Sequence, residues 1–293
     1  MSLVINHNLM AMNAARSLNL SYNRLATSVQ RLSSGLRVNS AQDDAAGLAV
    51  REMMRTDIAT INQGVRNAND AISLIQTADG AFSVIDEKLT RMKELAEQAA
   101  TGTYTTAQRM IMDSEYQAMA SEITRIANAT DFNGVKLLDG SLSGTGIDGG
   151  SGNQMKIHFG TGNSSAEDYY YVRINNSTSS ALGVGNSAAL AAGYTISTQS
   201  AAQQALDAIN SAVSIKDTIR ANLGGIANRL ANTISNLSIQ AESLQSAESQ
   251  ISDVDVASEM TEFTRNQVLV QAGVAMLAQA NNLPQLALKL MGG

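Results

Sequence analysis

The residues best equipped for chemistry are few and scattered. Asp43 and Asp44 are adjacent carboxylates, the residue type that general acid–base catalysis uses. Ala45-Ala46 come next, however, and acids just before a helix-forming run serve a helix N-terminus by capping and by attraction to its dipole. The two histidines, His7 and His158, are far apart and have no Cys or carboxylate at ligand spacing, so no metal site is expected. Zero Cys removes disulfides, thiolate ligands and thiol nucleophiles. There is no G-x-x-x-x-G-K, H-E-x-x-H or G-x-S-x-G. Gly144 to Gly152 is a turn-rich loop with no helix-opening Lys-Ser/Thr to make a phosphate cradle. No catalytic constellation forms and no cofactor is called for, so the chain is expected not to be an enzyme.

Composition points elsewhere. Of 293 residues, 44% are hydrophobic but only 4% aromatic, with no Trp and one Pro. Charged residues are 16%, against roughly 25% in an average globular domain. A low-charge surface rich in Ala, Ser, Asn and Gln suits one that meets other protein. The net charge of -6 argues against nucleic acid, which requires a basic stripe. No apolar run reaches the roughly 18 residues of a membrane span, so membrane insertion is not expected. Met1 to Asn8 lacks the basic, apolar and cleavage regions of a signal peptide, and by that rule the chain reads as cytosolic.

What the sequence specifies strongly is helix. From Ile5 to Leu36 the apolar positions Leu18, Tyr22, Leu25, Val29, Leu32 and Leu36 recur at 4-3-4-3-4 spacing, a coiled-coil seam on a helix of about 45 Å. Ser33-Ser34-Gly35 interrupts it, and Ser40-Ala41-Gln42-Asp43 has the form of a capping box that opens a second helix. That helix runs to about Ala100 with Ile58, Ile61, Val65, Ala68, Ile72 and Ile75 on one face. Phe82, Ile85, Leu89, Met92 and Ala96 continue it, with the buried face expected to shift at Asp79. A third helix spans about Ala107 to Ala127. Between Asp131 and Gln199 helix period gives way to Gly, Ser, Thr and Asn, with strands or hairpins at Phe132–Leu138, Met155–Phe159 and Tyr169–Ile174. Helix returns from about Ala201, with Gly224-Gly225 expected to serve close packing or a bend, and breaks at Ser252–Asp255. A last helix carries Met260, Phe263, Val270, Val274 and Leu277, with Gln267 filling a seam position, until Pro284 bends or ends it.

The fold class is therefore mainly α: long antiparallel helices forming a coiled-coil rod from both chain ends, with a small β-hairpin region in the middle. Helices with one narrow apolar stripe must pair, and the simplest closure packs the first against the last. The remaining Ala-, Met- and Leu-containing surface points to further copies of the chain, and identical subunits with non-closing contacts build helical filaments.

Leu32-Ser33-Ser34-Gly35-Leu36-Arg37-Val38-Asn39-Ser40-Ala41-Gln42-Asp43-Asp44-Ala45-Ala46-Gly47-Leu48-Ala49 resembles the N-terminal signature of bacterial flagellin. Val268 to Asn281 resembles the C-terminal signature, and Leu223 to Leu230 and Phe132 to Leu138 fit the same family. The resemblance covers roughly residues 1–140 and 200–290. It implies an inner coiled-coil domain of residues 1–43 with 255–293 and a tube domain of 44–254. The tube domain includes a short variable region at about 131–199, with no separate outer domain. It implies a structural subunit of the extracellular flagellar filament, exported unfolded through the type III channel without a cleaved signal, which reverses the cytosolic expectation. Absence of Cys fits such a route. The implied partners are the chain itself, an export chaperone, the filament cap and the hook–filament junction proteins. A hook–filament junction protein shares the terminal helices and is the alternative; a chemoreceptor-like bundle should carry a membrane span.

The resemblance also assigns residues. Leu18, Tyr22, Leu25, Val29 and Leu32, with Met260, Phe263, Val270, Val274 and Leu277, form the inner assembly seam. Arg91, Leu95 and Glu115 match the patch that the animal Toll-like receptor, a host innate immune receptor, recognises in some members, although as a helix face they also serve packing. Leu283, Leu288 and Leu290 match apolar residues held by the export chaperone and by intracellular innate sensors; burial in the inner coiled coil is the simpler role. Asn175-Asn176-Ser177-Thr178 contains sequons, and the Ser/Thr-rich middle is open to glycosylation.

Overall fold

A computed structural model describes residues 8–144, 154–164, 167–185 and 195–291, with side chains omitted from 283 onward. Among the described residues six helices and four short strands occur in order: α1 (Leu9–Ser34), α2 (Ala45–Ala100), α3 (Thr106–Ala129), β1 (Asp131–Phe132), β2 (Val135–Lys136), β3 (Met155–His158), β4 (Tyr169–Val172), α4 (Ser179–Leu182), α5 (Gln199–Ser252) and α6 (Val256–Met291). The one-turn helix α4 lies in the stretch where no helix was expected, begun by Thr178 capping the Ala181 N–H. The chain divides into two units, residues 1–58 with 242–293 and residues 59–241.

In the larger unit the core tracks the helical period closely. Along α2 the buried positions Ala68, Ala71, Ile75, Ala78, Phe82, Ile85, Leu89, Met92, Ala96 and Ala99 follow an unbroken 3-4 alternation, with Leu74 and Leu95 buried beside it. The expected sideways shift at Asp79 does not occur. Ala71, not Ile72, holds the seam, and Asp79 stands beside it, accepting from Arg220 Nε at 2.7 Å and Nη2 at 3.2 Å. Helix α5 presents Ala202, Ala205, Ile209, Ala212, Ile219, Leu223 and Leu230 in the same alternation. Lys216 occupies the position between Ala212 and Ile219, its side chain only 3% exposed and its ammonium paired with Asp86 and, at 2.9 Å, with Asp217. A buried cation persists only when paired in this way. Tyr116, Ala120, Ile123 and Ala127 of α3 close the same core.

Local signals explain the ends. Thr105 and Gln108 form a reciprocal capping box that starts α3. Arg109, buried, donates from Nε to the Ala99 carbonyl and from Nη2 to that of Thr101, both at 2.8 Å, satisfying acceptors at the end of α2. Asn133 (φ 51°) and Gly134 (φ 80°) make the turn of the β1–β2 hairpin, as left-handed residues must in a two-residue loop. Strands β3 and β4 pair antiparallel, Met155 opposite Val172 and His158 opposite Tyr169. This second hairpin lies on α2, where the Asn67 amide donates to the His158 carbonyl at 2.9 Å and Gly64 leaves room for the Phe159 backbone.

Gly224 and Gly225, by contrast, face open space: a Cβ at either meets nothing within 4 Å, so neither serves close packing inside the subunit. The two kinds of helical glycine should separate under substitution. Gly64→Ala drives a Cβ into the Phe159 carbonyl and should cost about 1–3 kcal/mol despite the better helix propensity. Gly224→Ala should gain up to about 1 kcal/mol. Urea unfolding of the two monomeric variants monitored by circular dichroism measures both signs.

Candidate assembly surface

The smaller unit is built on the pairing of α1 with α6. The order is antiparallel: the Asn8 side-chain amide, which also caps α1, donates to the Ala280 carbonyl at 2.8 Å, and Arg31 faces Glu259 at 3.6 Å. On α1 the covered face is Ala11, Ala14, Leu18, Ser21, Leu25, Ser28 and Leu32; on α6 it is Glu259, Phe263, Asn266, Val270, Gly273, Leu277 and Ala280. Both repeat at 3-4 spacing, as a two-helix seam requires. Gly273 lies against Leu18, and a Cβ there would come within 3.1 Å of Leu18 Cδ1.

The structure thus splits the residues assigned to the seam. Leu18, Leu25, Leu32, Phe263, Val270 and Leu277 lie on the covered face, while Tyr22 and Val29 are each 49% exposed and Met260 and Val274 are 46% and 48% exposed. Ser21 and Ser28 take the places next to Tyr22 and Val29, and Asn266, not Gln267, fills the seam position between Phe263 and Val270. Hydrophobicity alone selects Tyr22 and Val29; close approach of two helices selects their small neighbours. The apolar stripe is wider than one partner helix can cover. Leu9, Met12, Leu20, Val268, Leu269 and Met276 add to the uncovered surface.

Two helix interruptions meet at the base of this pair. Gly35, left-handed at φ 73°, ends α1 by donating to the Arg31 carbonyl. Its own carbonyl accepts from Val254 N–H at 3.0 Å, Arg37 N–H donates to the Ser252 carbonyl at 2.6 Å, and Leu36 bridges Asp253. Arg51, 7% exposed, donates to the Val38 carbonyl at 2.9 Å and pairs with Glu52, pinning the connector to α2.

The paired carboxylates belong to this connector. Asp43 accepts from the Ser40 hydroxyl, the Ser40 N–H and the Asn39 N–H, closing a turn; Asp44 caps α2 by accepting from Gly47 N–H at 2.9 Å. The expected capping box at Ser40 is therefore corrected: the helix begins at Ala45, after Asp44, and Ser40 belongs to the turn. His158 stacks on Tyr169 with ring centroids 6.0 Å apart. Among the described residues no group of three or more His, Cys, Asp or Glu is placed to hold a metal, and no helix is long and apolar enough to cross a membrane.

Arg91 and Glu115 do come together, Arg91 Nη2 lying 2.8 Å from the Glu115 carboxylate across α2 and α3, with Glu94 a second partner at 3.0 Å. These partners raise the Arg91 guanidinium above its usual value, Glu115 contributing most. Leu95 is 2% exposed and faces the core. Helix α6 continues through Pro284 to Met291; the side chains of Leu283, Leu288 and Leu290 lie outside the described residues, as does His7.

Long helices from both chain ends, paired along small-residue seams and leaving broad apolar faces uncovered, define a self-assembling structural subunit. Comparison with known proteins makes the class specific. The family profile described as bacterial flagellin N-terminal helical region matches residues 5–143, and that of the bacterial flagellin C-terminal helical region matches residues 206–291. Flagellin of Halalkalibacterium halodurans is 42% identical over 99% of this chain and 100% of its own length. Flagellin FlaB1 of Treponema pallidum is 39% identical over the same shares, and flagellin of Bacillus subtilis is 40% identical over 98% of this chain and 99% of its own. The chain belongs to the bacterial flagellin family.

The Asp43 turn carries a pH dependence. Hydrogen bonds from Ser40, then from the Asn39 backbone, hold its carboxyl below the usual carboxylate value. A depressed folded value means stability that is present above the ordinary range of about pH 4 and lost as pH falls through the folded value. Asp43→Ala should flatten that acid limb in melting curves taken from neutral to acid pH. An unaltered limb shows that the turn contributes nothing.

Proposed function

We propose that this chain polymerises into the flagellar filament through both of its ends, the exposed faces of α1 and α6 packing against further copies. The filament-subunit role rests on family membership at full length. The single observation that supports end-driven assembly is the half-exposed apolar row Tyr22, Val29, Met260 and Val274 on helices already paired with each other. A monomer has no reason to keep that surface wet, and a polymer covers it. The full-length relatives named above are flagellins, which favours the filament over the hook–filament junction.

We infer further that the chain leaves the cell by the flagellar type III route and resides in the extracellular filament. The variable region at about 131–199 is the outward part, with no separate outer domain. An export chaperone, the filament cap and the junction proteins are its partners, the chaperone taking the C-terminal segment with Leu283, Leu288 and Leu290. Recognition by the animal Toll-like receptor falls to the Arg91–Glu115 pair, since Leu95 is buried in the subunit.

Removal of residues 256–293 should abolish polymerisation, read by sedimentation of filaments, while the monomer keeps much of its helix by circular dichroism. Filaments of normal yield from the truncated chain sink end-driven assembly. In receptor reporter cells, Arg91→Ala with Glu115→Ala should lower the response of the monomer by about tenfold or more, the scale of a hot-spot loss. An unchanged response removes the patch.

A further inference from the structure

The chain holds 13 Met with no Cys and no Trp, so its readily oxidised groups are thioethers. Burial separates them. Met92 is fully buried in the larger unit, while Met10, Met12, Met53, Met110, Met260 and Met276 are between 46% and 67% exposed. Five of those six, all but Met110, belong to the smaller unit.

Four of them stand on the paired helices, each one residue from the covered face. Met10 and Met12 flank Ala11 of α1; on α6, Met260 follows Glu259 and Met276 precedes Leu277. One residue is about 100° of helix, so each thioether is carried out of the seam onto the surface that the pair leaves uncovered. Leucine would supply the same apolar surface at nearly the same volume and helix propensity. What methionine adds is a sulfur that peroxide reaches in the free subunit and that a covering copy closes off.

We propose that the thioethers of Met10, Met12, Met260 and Met276 form an oxidation site that decides whether the free subunit can assemble, with hydrogen peroxide as the co-reactant. This inference rests on the filament reading and deepens it by giving the assembly surface a chemical control. The sulfur attacks one peroxide oxygen, and an S–O bond forms as the O–O bond breaks. Sulfur loses two electrons and the peroxide gains them. The proton on the transferred oxygen passes to the departing hydroxide, so the products are sulfoxide and water. The side chain now carries a polar oxygen on what was apolar surface. Between copies that oxygen must leave water for apolar surroundings, which is costly for any acceptor without a donor. Oxidation therefore opposes assembly, while the seam inside the subunit keeps its own residues. Assembly in turn shields the sulfurs, so a chain already in a filament is protected.

The test uses full-length monomer, treated with hydrogen peroxide or not, to extend sheared wild-type filaments. If the untreated wild-type chain forms no filaments, the filament reading has failed and this inference with it. Given filaments, treated monomer should gain one oxygen at each of the four residues and none at Met92, read by peptide mass. It should keep its helix by circular dichroism and extend the seeds at least about tenfold more slowly. Methionine sulfoxide reductases A and B should restore the rate. Filaments given the same treatment should keep the four sulfurs largely reduced. A chain with Met10→Leu, Met12→Leu, Met260→Leu and Met276→Leu should grow equally fast before and after peroxide. Oxidised wild-type monomer growing at the untreated rate overturns the proposal, as do filaments oxidised as fast as monomer. A Leu chain slowed by peroxide as much as the wild type overturns it too. If the Leu chain does not assemble untreated, the reductases decide, and a wild-type chain they fail to rescue overturns the proposal.

Discussion

The smaller unit depends on one crossing: two helix interruptions, from opposite ends of the chain, hydrogen-bonded to each other by backbone groups. Gly35 with Val254, Arg37 with Ser252 and Leu36 with Asp253 make a short antiparallel contact that neither segment could satisfy alone. Backbone donors and acceptors freed by a helix break require partners, and here each break supplies them for the other. Because this contact has a register, it also fixes the register of the two helices that extend from it. The α1–α6 pairing starts correctly aligned, with Arg31 opposite Glu259 and Asn8 opposite Ala280.

The same economy governs the larger unit. With no Trp and few aromatics, its core mixes small with larger residues, Ala68, Ala71, Ala78, Ala96 and Ala99 with Ile75, Phe82, Ile85, Leu89 and Met92. Small residues interspersed along the seam let the helices approach closely. Lys216 is the exception on the seam, and its pairing with Asp86 shows that a charge is admitted there only as part of a pair.

The helices were legible because their periods are long and uninterrupted. The ends of α2, both hairpins and the break before α6 lie within a few residues of where period and turn residues put them. What the sequence could not show is which side of a wide apolar stripe meets the partner within the subunit. Tyr22 and Val29 outscore Ser21 and Ser28 in any hydrophobic reading, yet the serines lie nearer the partner helix. Ala71 and Ile72 present the same difficulty in α2. Capping was partly hidden for a related reason: Ser40 to Asp43 fits the pattern in types and spacing, but Asp44 holds the helix start, and only geometry separates them. Leu95 shows the limit for the surface, since a matching residue type says nothing of exposure.

The crossing of the two interruptions also imposes an order in time. A ribosome makes Gly35 long before Val254, so α1 waits through the synthesis of α2 to α5 for the backbone partner and the helix it needs. A contact of such sequence separation forms late and carries a large loop-closure cost. The smaller unit therefore matures only once α6 has been made.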